Sequence, residues 1–439
     1  MSHEILGFVL LAVFLFAIFI GFPVSFTLIF LSLAFGYFAL GDMVFYLTVL
    51  QTIGLMKEEV LAAVPLFIFM GYLLEEGGLM ERLFHAFRML MGGIPGSLYV
   101  AVLLTATIFG IASGTVGATV AVVGIMSVPT MMRAGYDPRL SAGAITAGGS
   151  LGILIPPSVM LVVMGPVMGV SVAELYAACF GPGFLLAGIF IVWTLIRCLI
   201  NPSLGPPLPV SERAGSLREL AVELTFGLAP HVFLTVITLG PILAGMATPT
   251  EAAAVGVVGT AVMAALYGKL RWATIKEATI QTATQVSMVL FLAVASNIFG
   301  AVFTRLGSAT LMTDTLVGLP LPPLGIMLVV MLLIFVMGWP FEWPAIVLVF
   351  VPLMQPAIIA LKFDQLWFAT LIAVNLQTAF LSPPVAMAAY YLKGVAPDWK
   401  LTDIYKGMGE FMVLQVFGLG LCIVFPEIIL WFPRWLFGP

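Results

Sequence analysis

Apolar residues along this chain come in long unbroken blocks, without the alternation or narrow stripe that marks a water-facing strand or helix. No Asp, Glu, Lys or Arg interrupts 5–20, 97–132, 140–173, 224–250, 278–304 or 366–392. A helix needs about 20 apolar residues to cross the hydrocarbon core of a bilayer, so the pattern predicts an all-α polytopic membrane protein. Spanning segments are expected at 4–21, 23–41, 60–77, 138–170 and 173–197, then at 227–246, 249–268, 280–305, 364–392 and 407–432, about ten in all. The least hydrophobic stretch, 201–223, carries Pro202, Gly205, Pro206, Pro207 and Pro209 ahead of Ser211-Glu212-Arg213 and reads as a linker. It divides the chain into a first half 1–200, a linker region 201–226 and a second half 227–439.

The halves share landmarks. Gly148-Gly149-Ser150-Leu151-Gly152-Ile153-Leu154-Ile155-Pro156-Pro157-Ser158 breaks an apolar segment at a double proline. The break recurs 227 residues later, at Asn375-Leu376-Gln377-Thr378-Ala379-Phe380-Leu381-Ser382-Pro383-Pro384-Val385. The same offset carries Tyr136-Asp137 onto Phe363-Asp364, and nearly the same one carries Gly71 and Gly78 onto Gly300 and Gly307, and Pro23 onto Pro249. With five crossings per half, equivalent helices run in opposite directions, so the repeat is expected to be inverted.

Charge fixes the expected sides. Hydrophobic residues make up 62% of the 439 and charged ones 9%, far below a soluble domain's roughly 25%. Placing the linker in the cytoplasm puts 13 Lys and Arg inside and only Lys57, Arg305, Lys362 and Arg434 outside. By the positive-inside rule both termini then face the periplasm. The first apolar run has neither a basic start nor a small-residue cleavage site and is expected to be retained. Residues 97–132 are flanked by Arg88 and Arg133, both inside on this count, and are interrupted at 110–117. They predict a re-entrant helical hairpin, and 322–360 predicts a second one from the opposite side, turning at Gly338-Trp339-Pro340-Phe341-Glu342-Trp343-Pro344. Two full spans per block is the rival reading and leaves the parity unchanged. Irregular backbone at that depth must be buried in protein or line a watery cavity.

Interrupted helices expose carbonyls and N–H groups suited to cations and anions, and paired interruptions point to a transporter's binding site. Oxygen ligands without thiols or histidines favour a hard cation, sodium. The candidate ligands are Ser113, Gly114, Thr115, Gly148, Ser150 and Pro156 in the first half, and Gly338, Glu342, Gln377, Thr378 and Ser382 in the second. Ser113, Thr119, Ser158, Glu342, Asn375 and Gln377 are the candidate substrate contacts. Small residues also let helices pack closely, and Asn and Gln also join helices, so ligation and packing are both open at each position. Glu342 is the only charged residue between 315 and 361, and an intramembrane carboxylate is a functional hypothesis by default. Thr248-Pro249-Thr250-Glu251 reads instead as a helix start with a capping box. Cys179, Cys198 and Cys422 are isolated, and His3, His85 and His231 lack partners at catalytic spacing. No phosphate-binding loop or dinucleotide fingerprint is present. No enzyme activity, organic cofactor or nucleic-acid partner is expected.

These residues carry a family resemblance. Ser113-Gly114-Thr115-Val116-Gly117-Ala118-Thr119, Arg133-Ala134-Gly135-Tyr136-Asp137-Pro138, Gly152-Ile153-Leu154-Ile155-Pro156-Pro157-Ser158 and Thr248-Pro249-Thr250-Glu251-Ala252-Ala253-Ala254 resemble the large membrane subunit of tripartite ATP-independent periplasmic (TRAP) transporters, the DctM-like family. The resemblance covers essentially the whole chain. It implies a sodium-driven importer of a small organic acid in the bacterial inner membrane, working by an elevator mechanism. It also implies two partners, a periplasmic substrate-binding protein and a small four-helix membrane subunit, the latter expected as a separate chain. The family's second tip commonly reads Gly-Met-Phe-Leu-Asp-Pro-Thr, whereas here Glu342 replaces Asp and Trp339 and Trp343 add bulk. Gln377 and Ser382 stand where the family often has Glu and Thr. A self-sufficient sodium–carboxylate symporter of related architecture is the alternative within transport. An integral-membrane enzyme is the alternative outside it and would need more convergent acid, base or metal groups than Glu342.

Overall fold

The computed structural model describes residues 3–76, 80–209 and 216–438, without the side chains of Glu76, Ala112, Ser113 and Leu217. All regular structure among the described residues is helical. The first half runs α1 (His3–Ile20), α2 (Val24–Leu40), α3 (Met43–Met56), α4 (Ala63–Glu76), α5 (Met80–Met91), the pair α6 (Ser97–Ser113) and α7 (Val116–Arg133), the broken pair α8 (Pro138–Ser150) and α9 (Val159–Met168), and α10 (Val172–Ile200). The second half runs α11 (Leu217–Leu243), α12 (Pro249–Leu266), α13 (Trp272–Arg305), α14 (Ser308–Val317), the pair α15 (Pro323–Met337) and α16 (Trp343–Ala360), the broken pair α17 (Gln365–Leu381) and α18 (Met387–Val395), α19 (Leu401–Val424) and α20 (Glu427–Phe437). Eight of the described helices are long and apolar enough to cross a membrane, or up to nine if a bent pair is joined. Phe16, Phe38, Ile200 and Leu266 expose well over half their surface, which suits lipid rather than water.

Local chemistry sets the boundaries. Asp137 caps α8 by accepting from the Leu140 amide at 2.9 Å, and Asp364 caps α17 by accepting from the Trp367 amide at 2.8 Å. The repeated Tyr136-Asp137 and Phe363-Asp364 landmarks are therefore matching helix starts. Thr248 and Glu251 form the expected capping box on α12 with Pro249 in the first turn. Both double prolines interrupt the broken pairs, and Pro156-Pro157 and Pro383-Pro384 are both cis.

The most buried helices are the first arms of the two broken pairs. Every residue of Leu140–Ser150 and of Trp367–Leu381 is buried. α8 packs on α6, α7 and α19. At its contact with α19 there is no room for side chains: a Cβ on Gly407 would lie 1.9 Å from the Arg139 carbonyl oxygen. The irregular backbone of the first break, 151–158, thus sits inside protein, whereas at the second break Pro383 and Pro384 are exposed, a place that suits a watery opening rather than hydrocarbon.

Several boundaries differ from the sequence reading. The helix expected at 407–432 runs Leu401–Val424, and Pro426, which cannot continue the hydrogen-bond ladder, separates it from α20. The linker region expected to reach 226 ends ten residues earlier, because the Ser216 hydroxyl accepts from the Glu219 amide and starts α11 at Leu217. Of that linker, 210–215 lie outside the described residues, as does Gly78. α3 was not expected as an element, and at 14 residues it is too short to span. α13, expected at 280–305, begins at Trp272 and has 34 residues.

Candidate substrate and ion site

Each helical pair is tied to its neighbouring break at one point where side chains are absent or minimal. Gly110 of α6 meets Gly152 of the first break so closely that a Cβ on Gly110 would lie 2.4 Å from the Gly152 Cα. Gly338, at the tip after α15, meets Ala379 of α17, where its Cβ would lie 2.9 Å from the Ala379 Cβ. Gly152 and Ala379 are 227 residues apart, and Gly110 and Gly338 are 228 apart. The same contact is therefore made once in each half. Gly114 takes a left-handed conformation that ends α6 and lets the chain reverse into α7, a position where glycine carries no Cβ penalty.

The two tips and two broken pairs converge on one cavity of about 720 Å³. Gly114, Thr115 and Val116 enter it from the first tip and Glu342 and Trp343 from the second. Ile153 and Val159 enter from the first broken pair, and Phe380 and Tyr391 from the second. The opposite wall is formed by Tyr72 and Glu75 of α4 and by a polar face of α13. The Tyr72 hydroxyl donates to Gln285 Oε1 at 2.8 Å and ties those two helices together at the cavity. The Tyr391 ring lies on Gly117, which leaves it room against the first tip.

The helices α7, α9 and α16 all begin at this cavity, with Val116, Val159 and Trp343 as first helical residues lining it. Helix starts hold unsatisfied N–H groups and partial positive charge, a fit for a carboxylate. Carboxylate side chains line it too, from Glu75, Glu277 and Glu342, and among the described residues no Lys, Arg or His does.

Of the residues singled out from sequence, Gly114, Thr115 and Glu342 line the cavity. The Ser113 side chain lies outside the described residues, although its backbone closes α6. The other hydroxyls turn to nearby carbonyls. Thr119 donates to Thr115 O at 2.6 Å, Ser150 to Ala147 O, Ser158 to Ile153 O, Thr378 to Asn375 O at 2.6 Å and Ser382 to Thr378 O at 2.7 Å. Gly148 packs under Ala106 of α6, where a Cβ would lie 2.9 Å from the Ala106 Cβ. Pro156 is buried within the first break. Asn375 donates to Met331 O at 2.7 Å and Gln377 to Ala373 O at 3.2 Å, which leaves Asn375 Oδ1 and Gln377 Oε1 buried without partners. Two orphaned carbonyl oxygens beside the second break are donor atoms a hard cation accepts.

The sequence reading passed over Tyr72, Glu75, Tyr391 and the α13 face. That face had a signal: Glu277, Gln281, Thr284, Gln285 and Met288 recur at helical spacing on one side. The tyrosines had none, because only the folded chain brings α4 and α18 to the tips.

A model of the family described as "Tripartite ATP-independent periplasmic transporter, DctM component" matches residues 10–428. The chain is 31% identical over 381 residues to the C4-dicarboxylate TRAP transporter large permease protein DctM of Pseudomonas aeruginosa, covering 87% of each. It is 29% identical over 426 residues to the sialic acid TRAP transporter large permease protein SiaM of Vibrio cholerae, covering 96% of this chain and 97% of that one. Among solved structures, the YdaH transporter of Alcanivorax borkumensis superposes with a TM-score of 0.62 at 16% identity, over 91% of this chain and 90% of the other. At that identity the likeness concerns the fold alone.

Proposed function

The chain belongs to the DctM family of tripartite ATP-independent periplasmic transporters, and from that premise we propose that it drives sodium-coupled import of a small organic acid by an elevator movement. It is a multi-pass membrane transporter component, not an enzyme. As the large permease of a tripartite system it works with a small membrane subunit and a periplasmic binding protein. The relatives' names point to acids, C4-dicarboxylates and sialic acid, and this chain's substrate is proposed to be a small organic acid as well.

The observation that carries the reading is the convergence of both tips and both broken pairs on one cavity. Three helix starts there supply N–H groups to a carboxylate, and Asn375 Oδ1 and Gln377 Oε1 supply unpaired oxygen to sodium. The glycine contacts bind each tip to its break, so α6–α10 and α15–α20 are suited to move as a body against the wall of α4 and α13. The repeated contact at an offset of 227–228 residues supports an inverted repeat. Glu277 lies near the α13 end that carries Arg271 and Lys276, a cytoplasmic end by the charge count. On that orientation the cavity opens inward in this conformer.

The test is uptake by the complete complex in liposomes. An inward sodium gradient should drive it without ATP. Full-rate uptake on a proton gradient alone, with sodium absent, would replace sodium coupling with proton coupling. Uptake by this chain without its partners would replace the tripartite reading with that of a self-sufficient symporter.

A further inference from the structure

A second polar cleft lies on α13, remote from the site above. The inner cavity uses α13 from Glu277 to Met288, whereas this groove uses Ser296 to Arg305. The midpoints of those stretches are some 18 residues apart, or about 27 Å along a helix at 1.5 Å per residue, close to the hydrocarbon thickness of a bilayer. The groove holds about 590 Å³ between α3, the end of α13, the start of α14 and α16. Its walls differ. The α16 side is apolar, with Val349, Pro352 and Leu353. The other side presents the Arg305 guanidinium with Gln51, Asn297, Thr304 and Thr310.

Two observations make this more than a polar surface. Among the described residues no carboxylate pairs with Arg305 and none lines the groove, so its positive charge is uncompensated. The Ser296 hydroxyl, on a residue 4% exposed, lines the same groove and has no hydrogen-bond partner. A buried hydroxyl is rarely left unsatisfied. Ser296 lies nine residues before Arg305, about 13 Å along the helix, and so offers a donor deeper in the same groove. The unpaired guanidinium and the further donors on its side suit an oxyanion.

We propose that this groove is a second, anion-binding site, which receives a solute carboxylate at Arg305 before it reaches the cavity between the tips. The site's place on the outer face rests on the orientation proposed above, whereas its preference for an anion does not. Solute carboxylates and anionic lipid headgroups share the required chemistry, and the occupant proposed here is the solute.

The test reads charge at the groove directly. Thr310→Cys is introduced into the full chain in phosphatidylcholine nanodiscs, where the three native cysteines are buried and add little background. The thiol is labelled with an anionic sulfonatoethyl or a cationic trimethylammonioethyl methanethiosulfonate, and the rate ratio is normalised to a free thiol. For a guanidinium on the order of 8 Å away in a water-like medium, the anionic reagent should be favoured roughly fivefold. Arg305→Gln should abolish that preference and Arg305→Lys should keep it, with unchanged elution and thermal midpoint. Millimolar succinate should slow labelling by the anionic reagent. An equal ratio for both reagents, or one unchanged by Arg305→Gln, overturns the proposal. Slowing by added phosphatidylglycerol but not by succinate makes the occupant a lipid headgroup and also overturns it. Absence of sodium-driven uptake in the wild-type complex would count against the importer reading alone, since the labelling ratio does not depend on transport.

Discussion

Alanine at Gly110 tests whether the first tip is held by backbone-to-backbone contact. The new Cβ would lie 2.4 Å from the Gly152 Cα and 2.9 Å from its amide nitrogen. Ordinary carbon contacts lie near 3.5–4.0 Å, so two backbones must separate by about 1 Å, with no flexible side chain to absorb the change. Overpacking of this kind costs roughly 1–3 kcal/mol. Against it stands the helix-propensity gain of Gly to Ala, up to about 1 kcal/mol, which applies because Gly110 is interior to α6. The expected net loss is about 1–2 kcal/mol, and Gly152→Ala should behave alike because the contact is reciprocal at 2.7 Å. The double variant should cost less than the sum of the singles, since the first methyl already opens the gap for the second. Gly188→Ala and Gly409→Ala, with nothing within 4 Å of a new Cβ, are controls that should be neutral or slightly stabilising. Thermal unfolding of the purified chain, followed by intrinsic tryptophan fluorescence, gives the energies, and uptake by the complex gives the function. Uptake should fall more than stability does, because the tip at Gly114 and Thr115 sits four and five residues from the displaced glycine. Additive costs in the double variant, or losses no larger than in the controls, would refute the argument.

Thr115→Ala and Ser382→Ala should raise the half-saturation for sodium about tenfold to a hundredfold, the equivalent of roughly 1–3 kcal/mol, at near-normal membrane abundance. Ser171→Ala is the neutral control, and unchanged sodium dependence in both variants would reduce these hydroxyls to packing groups. A thiol introduced by Ser203→Cys should resist impermeant reagents in intact spheroplasts and react after lysis, and labelling from outside would invert the proposed orientation. Glu410→Gln should cost about 1–3 kcal/mol, because Glu410 accepts from both Arg197 and Trp193 between α10 and α19. Asp403→Asn, which removes the more exposed pair with Arg139, should cost under about 1 kcal/mol. Thermal midpoints distinguish the two.

The interruptions were legible because their causes are local. A double proline ends a helix whatever surrounds it, and Asp137, Asp364 and Thr248 declare helix starts through side chains that reach only three residues ahead. The charge-free blocks marked where most of the apolar helices lie. Eight or nine of the described helices pass as spans against the ten expected, however, and Val116–Arg133 and Trp343–Ala360, expected as hairpin arms, are among them. Misplaced boundaries arose where charge and helix do not exclude each other: Arg218 and Glu219 fall in the expected linker, and Lys276 and Glu277 ahead of the span expected at 280–305, yet each lies in a helix that extends past its apolar part. Within the site, residue types could be chosen from sequence but not their orientation. Ser150 and Ser158 satisfy nearby carbonyls, a rotamer choice settled by packing. Tyr72 and Tyr391 become neighbours of the tips only through contacts spanning hundreds of residues.

The length of α13 makes bilayer thickness a variable of this protein. Its charge-free stretch, 278–304, has 27 residues, about 40 Å of helix for a hydrocarbon layer of about 30 Å. Such an excess is taken up by leaning or by locally thickening the membrane. In a thinner bilayer the helix must incline further, which moves the Glu277 end sideways relative to the Arg305 end and alters the surface against which the tips sit. Acyl-chain length should therefore act on this transporter without touching any ligand, through the lean of a single helix.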